Sequence, residues 1–205
     1  FIGSSRNLLS ESADHCKRIK FLNPVFNNNE LKQILSYDNS DYKSQVIDIV
    51  FNVKEDKGLA NALDRICDEA AKAIEKGISV LVLSDRKFSK DKAPIPSLLA
   101  TGAVHHSLIR SGKRTNAGLI LESGEPREVQ HFALLFAYGI DAVNPYGALA
   151  ATYDLVAQKK VAGIESYEDA EKNFMKAITK ALLKILSKMG TSTLRSYRGA
   201  QIFEA

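Results

Sequence analysis

The chain has 205 residues, enough for one substantial core or one core plus an appendage. Its 45% hydrophobic and 25% charged residues are ordinary for a soluble globular protein. The net charge of +4 is spread over interleaved bases and acids, so no basic stripe points to nucleic acid. No apolar run approaches the roughly 20 residues that span a bilayer, which argues against a membrane role. The two cysteines, Cys16 and Cys67, lie in no C-x-x-C or metal-ligand spacing. That excludes a disulfide framework and fits a reducing compartment.

The chain starts at Phe1 with a polar, mixed stretch that is no signal peptide, and both of its ends read as cuts through a longer protein. Residues 1–45 form an irregular lead-in. Asn23-Pro24 marks a turn, and the polar cluster Asn27, Asn28 and Asn29 precedes a short helix over 30–35. Residues 37–44 read as a loop. From residue 46 strands and helices alternate. Ile47, Ile49, Phe51 and Val53 alternate as in one strand. Leu59, Leu63, Ile66, Ala70 and Ala73 have helical spacing, with Gly77 as a stop. Residues 80–83 are a continuous apolar run, as in a strand covered on both faces. A charged loop over 84–92 precedes a helix over 97–111. A buried strand follows at 119–121, then a helix over 127–138 stopped by Gly139, a short strand at Ala142-Val143 and a helix over 146–158.

The longest helix is predicted over 166–187, opened by the pair Ser166 and Asp169 and closed by Lys188 and Gly190. Residues 191–198 read as a polar, turn-rich stretch, with a new helix opening at Gly199. Four strands separated by helices imply an α/β fold whose mainly parallel sheet is joined by right-handed crossover helices. Periodicity leaves open whether that sheet is doubly wound or part of a barrel.

Candidate chemistry is sparse. His105 and His106 are helical neighbours pointing about 100° apart, which suits structural roles better than chelation. His131 reads the same way, and His15 lies in the lead-in. Ser84-Asp85-Arg86, Glu122-Ser123-Gly124 and Asn144-Pro145-Tyr146 each follow a strand, where parallel α/β proteins gather ligands. As single residues, Asp85 and Glu122 suit capping or pairing with Arg86 and Arg127 better than ligand binding. No dinucleotide fingerprint, Walker sequence or nucleophile elbow occurs, and no catalytic residue or metal site is expected. The segment 188–201 combines a cation, hydroxyls and small residues in what reads as a strand-to-helix loop, a setting that can hold an anion.

Several stretches resemble the central domain of glutamate synthase: residues 82–86, VLSDR; 93–96, APIP; 102–106, GAVHH; Arg114-Thr115; 122–128, ESGEPRE; 131–133, HFA; and 139–146, GIDAVNPY. Residues 188–204, KMGTSTLRSYRGAQIFE, resemble the start of that family's FMN-binding synthase barrel. Arg6-Asn7-Leu8-Leu9 and Asn23-Pro24-Val25 resemble the approach from its glutamine amidotransferase domain. The likeness covers nearly the whole chain in order. It implies a partial or degenerate flavin-type barrel over 46–165, with 166–205 as a long helix and the start of the truncated synthase barrel. It implies a connecting role: helping to enclose the tunnel that carries ammonia from glutamine to a flavin site, where 2-oxoglutarate becomes glutamate. FMN and a 3Fe-4S cluster belong to the full-length family enzyme, and no cofactor is expected on this chain. The implied partners are the neighbouring amidotransferase and synthase domains, with ferredoxin or a nicotinamide-dependent small subunit as electron source. The implied location is a bacterial cytoplasm or a plastid stroma. By resemblance, Lys188, Met189, Gly190 and Ser192 lie near substrate or FMN, and Asn23, Asn27 and Asn28 fall in the tunnel region. Thr191 and Arg195 depart from the family's usual Ile and uncharged residue. Without the rest of the barrel, residues 191–205 are expected to be poorly packed. The alternative is a free-standing α/β module that binds a small anion through the loops at Asp85, Glu122 and Asn144.

Overall fold

A computed structural model describes residues 1–5, 7, 9–37, 42–164 and 166–203. Arg6 and Leu8 of the lead-in motif, and residues 38–41 of the expected loop over 37–44, lie outside the described residues. In chain order the elements are α1 (Asn28–Ser36), β1 (Ser44–Asp48), β2 (Val50–Asn52), α2 (Gly58–Glu75), β3 (Val80–Ser84) and β4 (Lys92–Pro94). There follow α3 (Ser97–Arg110), β5 (Gly118–Glu122), α4 (Val129–Ala137), β6 (Ala142–Asn144), α5 (Tyr146–Ala157), α6 (Tyr167–Lys188) and α7 (Leu194–Tyr197).

The sheet is parallel and ordered β1-β3-β5-β6, with Val82 beside both Val46 and Ile120, and Ile120 beside Ala142. Its strands are laid down in the order of the chain. Successive right-handed crossovers without reversal put every crossover helix on the same face, as in a barrel and unlike a doubly wound sheet. The side chains agree. Ile47, Leu81, Leu83, Leu119, Leu121 and Val143 pack against α2, α3, α4 and α6. Val80, Val82, Ile120 and Ala142 alternate with them and point the other way, as the two-residue strand period requires. That second face corresponds to a barrel's interior. Here it is capped by Ile2, Phe26 and the apolar stripe of α1, Leu31 and Ile34.

The lead-in also covers one edge of the sheet. Phe26 N donates to Val143 O at 2.8 Å, and Val143 N donates to Pro24 O at 2.9 Å. Asn27 caps α1 reciprocally: its Oδ1 accepts from Glu30 N at 2.8 Å, while Glu30 Oε2 accepts from Asn27 N at 2.8 Å. Helix α3 has no acceptor at its own N-cap, Pro96. Glu125, from the loop after β5, accepts from Ser97 N at 2.8 Å and places its negative charge at the positive end of the helix.

Several readings are corrected. The single strand through 47–53 is two strands: the chain bends at Ile49, and β2 leaves the sheet to pair antiparallel with β4. Ile49 N donates to Ser84 O, and Ile49 O accepts from Ile95 N, so the bend itself is hydrogen-bonded. Residues 188–192 continue out of a helix rather than a strand. Lys188 ends α6, Met189 caps it and Gly190 takes the left-handed φ of +67° that terminates it. Residues 191–203 are anchored to the domain through one buried side chain: Tyr197 is 1% exposed in the main core, its ring 6.3 Å from that of Phe203, while most of its neighbours are exposed. The helix predicted from Gly199 is absent among the described residues, and α7 forms just before it. Gly199 instead adopts φ +67° and donates to Ala137 O at 2.9 Å. Helix α6, read as the lead to a separate barrel, sends Met175, Ile178, Leu182 and Leu186 into the same core as the sheet.

Candidate functional site

The carboxyl ends of the strands do converge. Asp85 accepts from Ser123 Oγ at 2.6 Å, from Gly124 N at 3.1 Å and from the Tyr146 hydroxyl at 2.5 Å. Glu122 accepts from Ser84 Oγ at 2.6 Å and is ion-paired with Arg86. The Arg86 guanidinium lies 4.1 Å from the Tyr146 ring centroid, a cation–π distance. Burial first, and the Asp85 carboxylate second, raise the Tyr146 phenol above its usual pKa, so it stays a donor. Asn28 closes the cluster from α1. Its Oδ1 accepts from Arg86 at 3.2 Å and from Asn144 Nδ2 at 3.1 Å. Asn144 Nδ2 also donates to Phe26 O at 3.1 Å, while its buried Oδ1 has no partner among the described residues.

Two carboxylates therefore meet one guanidinium, and most donors already have acceptors. This face repels an anion. The loops at Asp85, Glu122 and Asn144, the alternative anion site, form a structural clamp that locks β3, β5 and β6 to one another and to α1.

The opposite end of the sheet carries a cluster that no local motif announced. Asp141, just before β6, accepts from Leu119 N at 2.8 Å and from Arg114 at 3.2 Å, and is ion-paired with Arg198. Arg114 also donates to Ala117 O at 2.9 Å and to Gly139 O at 2.7 Å. Its Nε donates to His105 Nδ1 at 2.9 Å, which makes Nδ1 the unprotonated nitrogen because arginine has no acceptor. Burial first, then Arg114, His106 and Arg198, push the His105 pKa down to about 3. Burial lowers Arg114 to about 10; burial, then Arg114 and Arg18, lower Arg198 to about 10. Beside this cluster opens a cleft of roughly 700 Å³, lined by the lead-in on one side and residues 194–199 on the other.

The remaining predicted residues separate. Lys188, Met189, Gly190 and Ser192 are all exposed at the end of α6, where the helix dipole is negative, and none lines that cleft. Asn23 accepts from Thr179 of α6 at 2.9 Å, and Asn27 donates to Glu171 of α6 at 2.8 Å. Only Asn28 reaches the strand ends. His105 is a hydrogen-bonded core residue, as expected, and His131 Nδ1 accepts from Arg127 N at 3.1 Å at the start of α4.

The family model of the glutamate synthase central domain matches residues 1–205. The chain belongs to the glutamate synthase central domain family. It is 45% identical over its whole length to the NADPH glutamate synthase large chain of Bacillus subtilis, of which it covers 13%. It is 43% identical to the NADH glutamate synthase of Schizosaccharomyces pombe, covering 10% of that protein. It is also 38% identical, over 99% of its length, to the chloroplastic ferredoxin-dependent glutamate synthase of Oryza sativa, again covering 13%. The chain thus spans about an eighth of the curated relatives it matches.

The cofactors implied by the glutamate synthase family do not fit these residues. A 3Fe-4S cluster needs more cysteine thiolates than the two here, Cys16 exposed and Cys67 partly buried, can provide. The exposed turn over 188–192 forms no enclosure for a flavin. Among the described residues, no three His, Cys, Asp or Glu side chains are grouped to hold a metal ion, and no helix is long and apolar enough to cross a membrane.

Proposed function

We propose that this domain connects the glutamine amidotransferase and FMN synthase domains of a glutamate synthase and forms part of the wall of its ammonia path. The supporting observation is the whole-length match to the central domain family, by a chain covering only 13% of a glutamate synthase large chain. In this reading the full-length enzyme is an oxidoreductase that makes glutamate from glutamine and 2-oxoglutarate. Its FMN and 3Fe-4S cluster lie in the other domains. The electron donor is also set elsewhere, since relatives named for NADPH, NADH and ferredoxin all match the domain throughout. It works in the bacterial cytoplasm or in a plastid stroma.

The domain supplies rigidity and enclosure, not bond chemistry. Asn23, Asn27 and Asn28 hold the lead-in against α6 and the strand ends, and the ammonia path runs beside them. An enclosed path matters because free ammonia is protonated and lost in bulk water. The turn containing Lys188, Met189, Gly190 and Ser192 meets the synthase domain near its flavin. The test is Asn28→Trp in the complete enzyme. Glutaminase turnover and synthesis from added ammonia should persist, while glutamine-dependent glutamate synthesis falls several-fold and ammonia escapes into solution. Unchanged coupling of glutamine hydrolysis to glutamate formation would sink the placement of the path.

A further inference from the structure

We propose that the arginine-lined cleft at the amino ends of β5 and β6 binds a small molecule bearing a multiply charged oxyanion, either a phosphate ester or a polycarboxylate. Among the described residues, four guanidinium groups, those of Arg18, Arg114, Arg195 and Arg198, line this cleft against one carboxylate, Asp141. Asp141 is already committed to Arg114, Arg198 and Leu119 N. Among the described residues Arg18 is hydrogen-bonded only to neutral acceptors, Ser4 O and Ser5 Oγ. Among the described residues Arg195 has no hydrogen-bond or ion-pair partner.

Charge alone does not make a site, but the shape here is also right. The cleft's volume of about 700 Å³ falls within the range that small ligands fill. Its charged walls are planar forks suited to bidentate oxyanion contacts, and Asn7, Thr115 and Asn116 add neutral polar groups. The cations strain one another. Arg195 depresses the Arg18 pKa after burial does, and Arg114 and Arg18 depress that of Arg198. Partly buried like charges repel, and a bound dianion relieves more of that repulsion than a single charge can. His105 stays neutral and competes with no anion; its role is to hold Arg114 in place. The anion site sought in the strand-end loops thus lies at the other end of the sheet. It stands independently of the connecting role.

The test uses a complete glutamate synthase chain containing this domain, purified without phosphate. Calorimetric titration with pyrophosphate and, separately, with citrate is compared for the wild type, Arg195→Ala and Arg195→Lys. Arg195 is exposed and unpartnered, so equal melting temperatures serve as the check on folding. We expect one saturable site whose affinity drops about tenfold or more in Arg195→Ala and is partly restored in Arg195→Lys. Preference for pyrophosphate assigns a phosphate ester, and preference for citrate a polycarboxylate. No binding of either probe overturns the proposal, as when an acidic side chain of a neighbouring domain already fills the cleft. Binding that is indifferent to Arg195 belongs to another site and overturns it equally.

Discussion

Protonation of His105 should weaken the fold by a calculable amount. The folded state holds this imidazole neutral, with a pKa of about 3, because the site is buried and Arg114, His106 and Arg198 surround it. In the unfolded chain the usual value near 6.5 returns. Between these two values the unfolded state binds a proton that the folded state refuses. Stability from this group is therefore complete above about pH 6.5 and is lost progressively as pH falls toward 3. At pH 5 the loss is about 2 kcal/mol, from 1.5 pH units at about 1.4 kcal/mol each. Protonating Nδ1 would also break the bond it accepts from Arg114 Nε. The control is His105→Asn, whose side-chain oxygen can accept from Arg114 but cannot titrate. Urea unfolding of the 205-residue chain, followed by circular dichroism from pH 7.5 to 5, gives both stabilities. Carboxylates contribute alike to both proteins, so their difference isolates the imidazole. The wild type's advantage over His105→Asn should shrink by about 1–2 kcal/mol across that interval. A constant difference would refute the assignment of a neutral, bonded His105.

Two further substitutions probe the packing. Gly139→Ala should cost about 2–4 kcal/mol in the same unfolding assay, since its φ of +114° disfavours a side chain and the new methyl would sit 2.1 Å from His105 Nδ1; a cost below 1 kcal/mol would mean that the His105 ring can move aside. Phe132→Ala, which empties a fully buried position between the sheet and α6, should cost about 3–5 kcal/mol; a cost near zero would mean that this core is fluid.

The legible parts of the fold were those dictated locally. Residues 80–83 and 119–121 are continuous apolar runs because helices cover one face and the lead-in the other. The Ser166 cap acts over three residues and is present, with Asp169 N 3.0 Å from Ser166 Oγ. The β2–β4 pair was hidden because each strand is three residues long and Pro94 is a poor strand former. At the strand ends, the sequence showed which residues would gather but not their state. The expected pairing with Arg86 is made by Glu122, and the geometry adds that Tyr146, Ser123 and Ser84 satisfy the rest of the two carboxylates. The arginine cleft was out of reach for another reason. Arg18, Arg114 and Arg198 come from three distant stretches, and no local signal in the sequence marks Asp141 as the partner of Arg114 and Arg198. In residues 191–203 the polar, turn-rich pattern foretold the exposure of most side chains but hid one anchor, Tyr197.

The ties between the lead-in and α6 have a mechanical consequence. Asn23 and Asn27 grip Thr179 and Glu171, and Glu171 also accepts from Tyr153 of α5. A pull on the lead-in therefore reaches α6 through these side chains and the sheet edge at Val143 through backbone hydrogen bonds. The lead-in thus acts as a cross-brace, joining β6, α1 and α6, so a displacement of the lead-in is shared between the sheet edge and the outer helix.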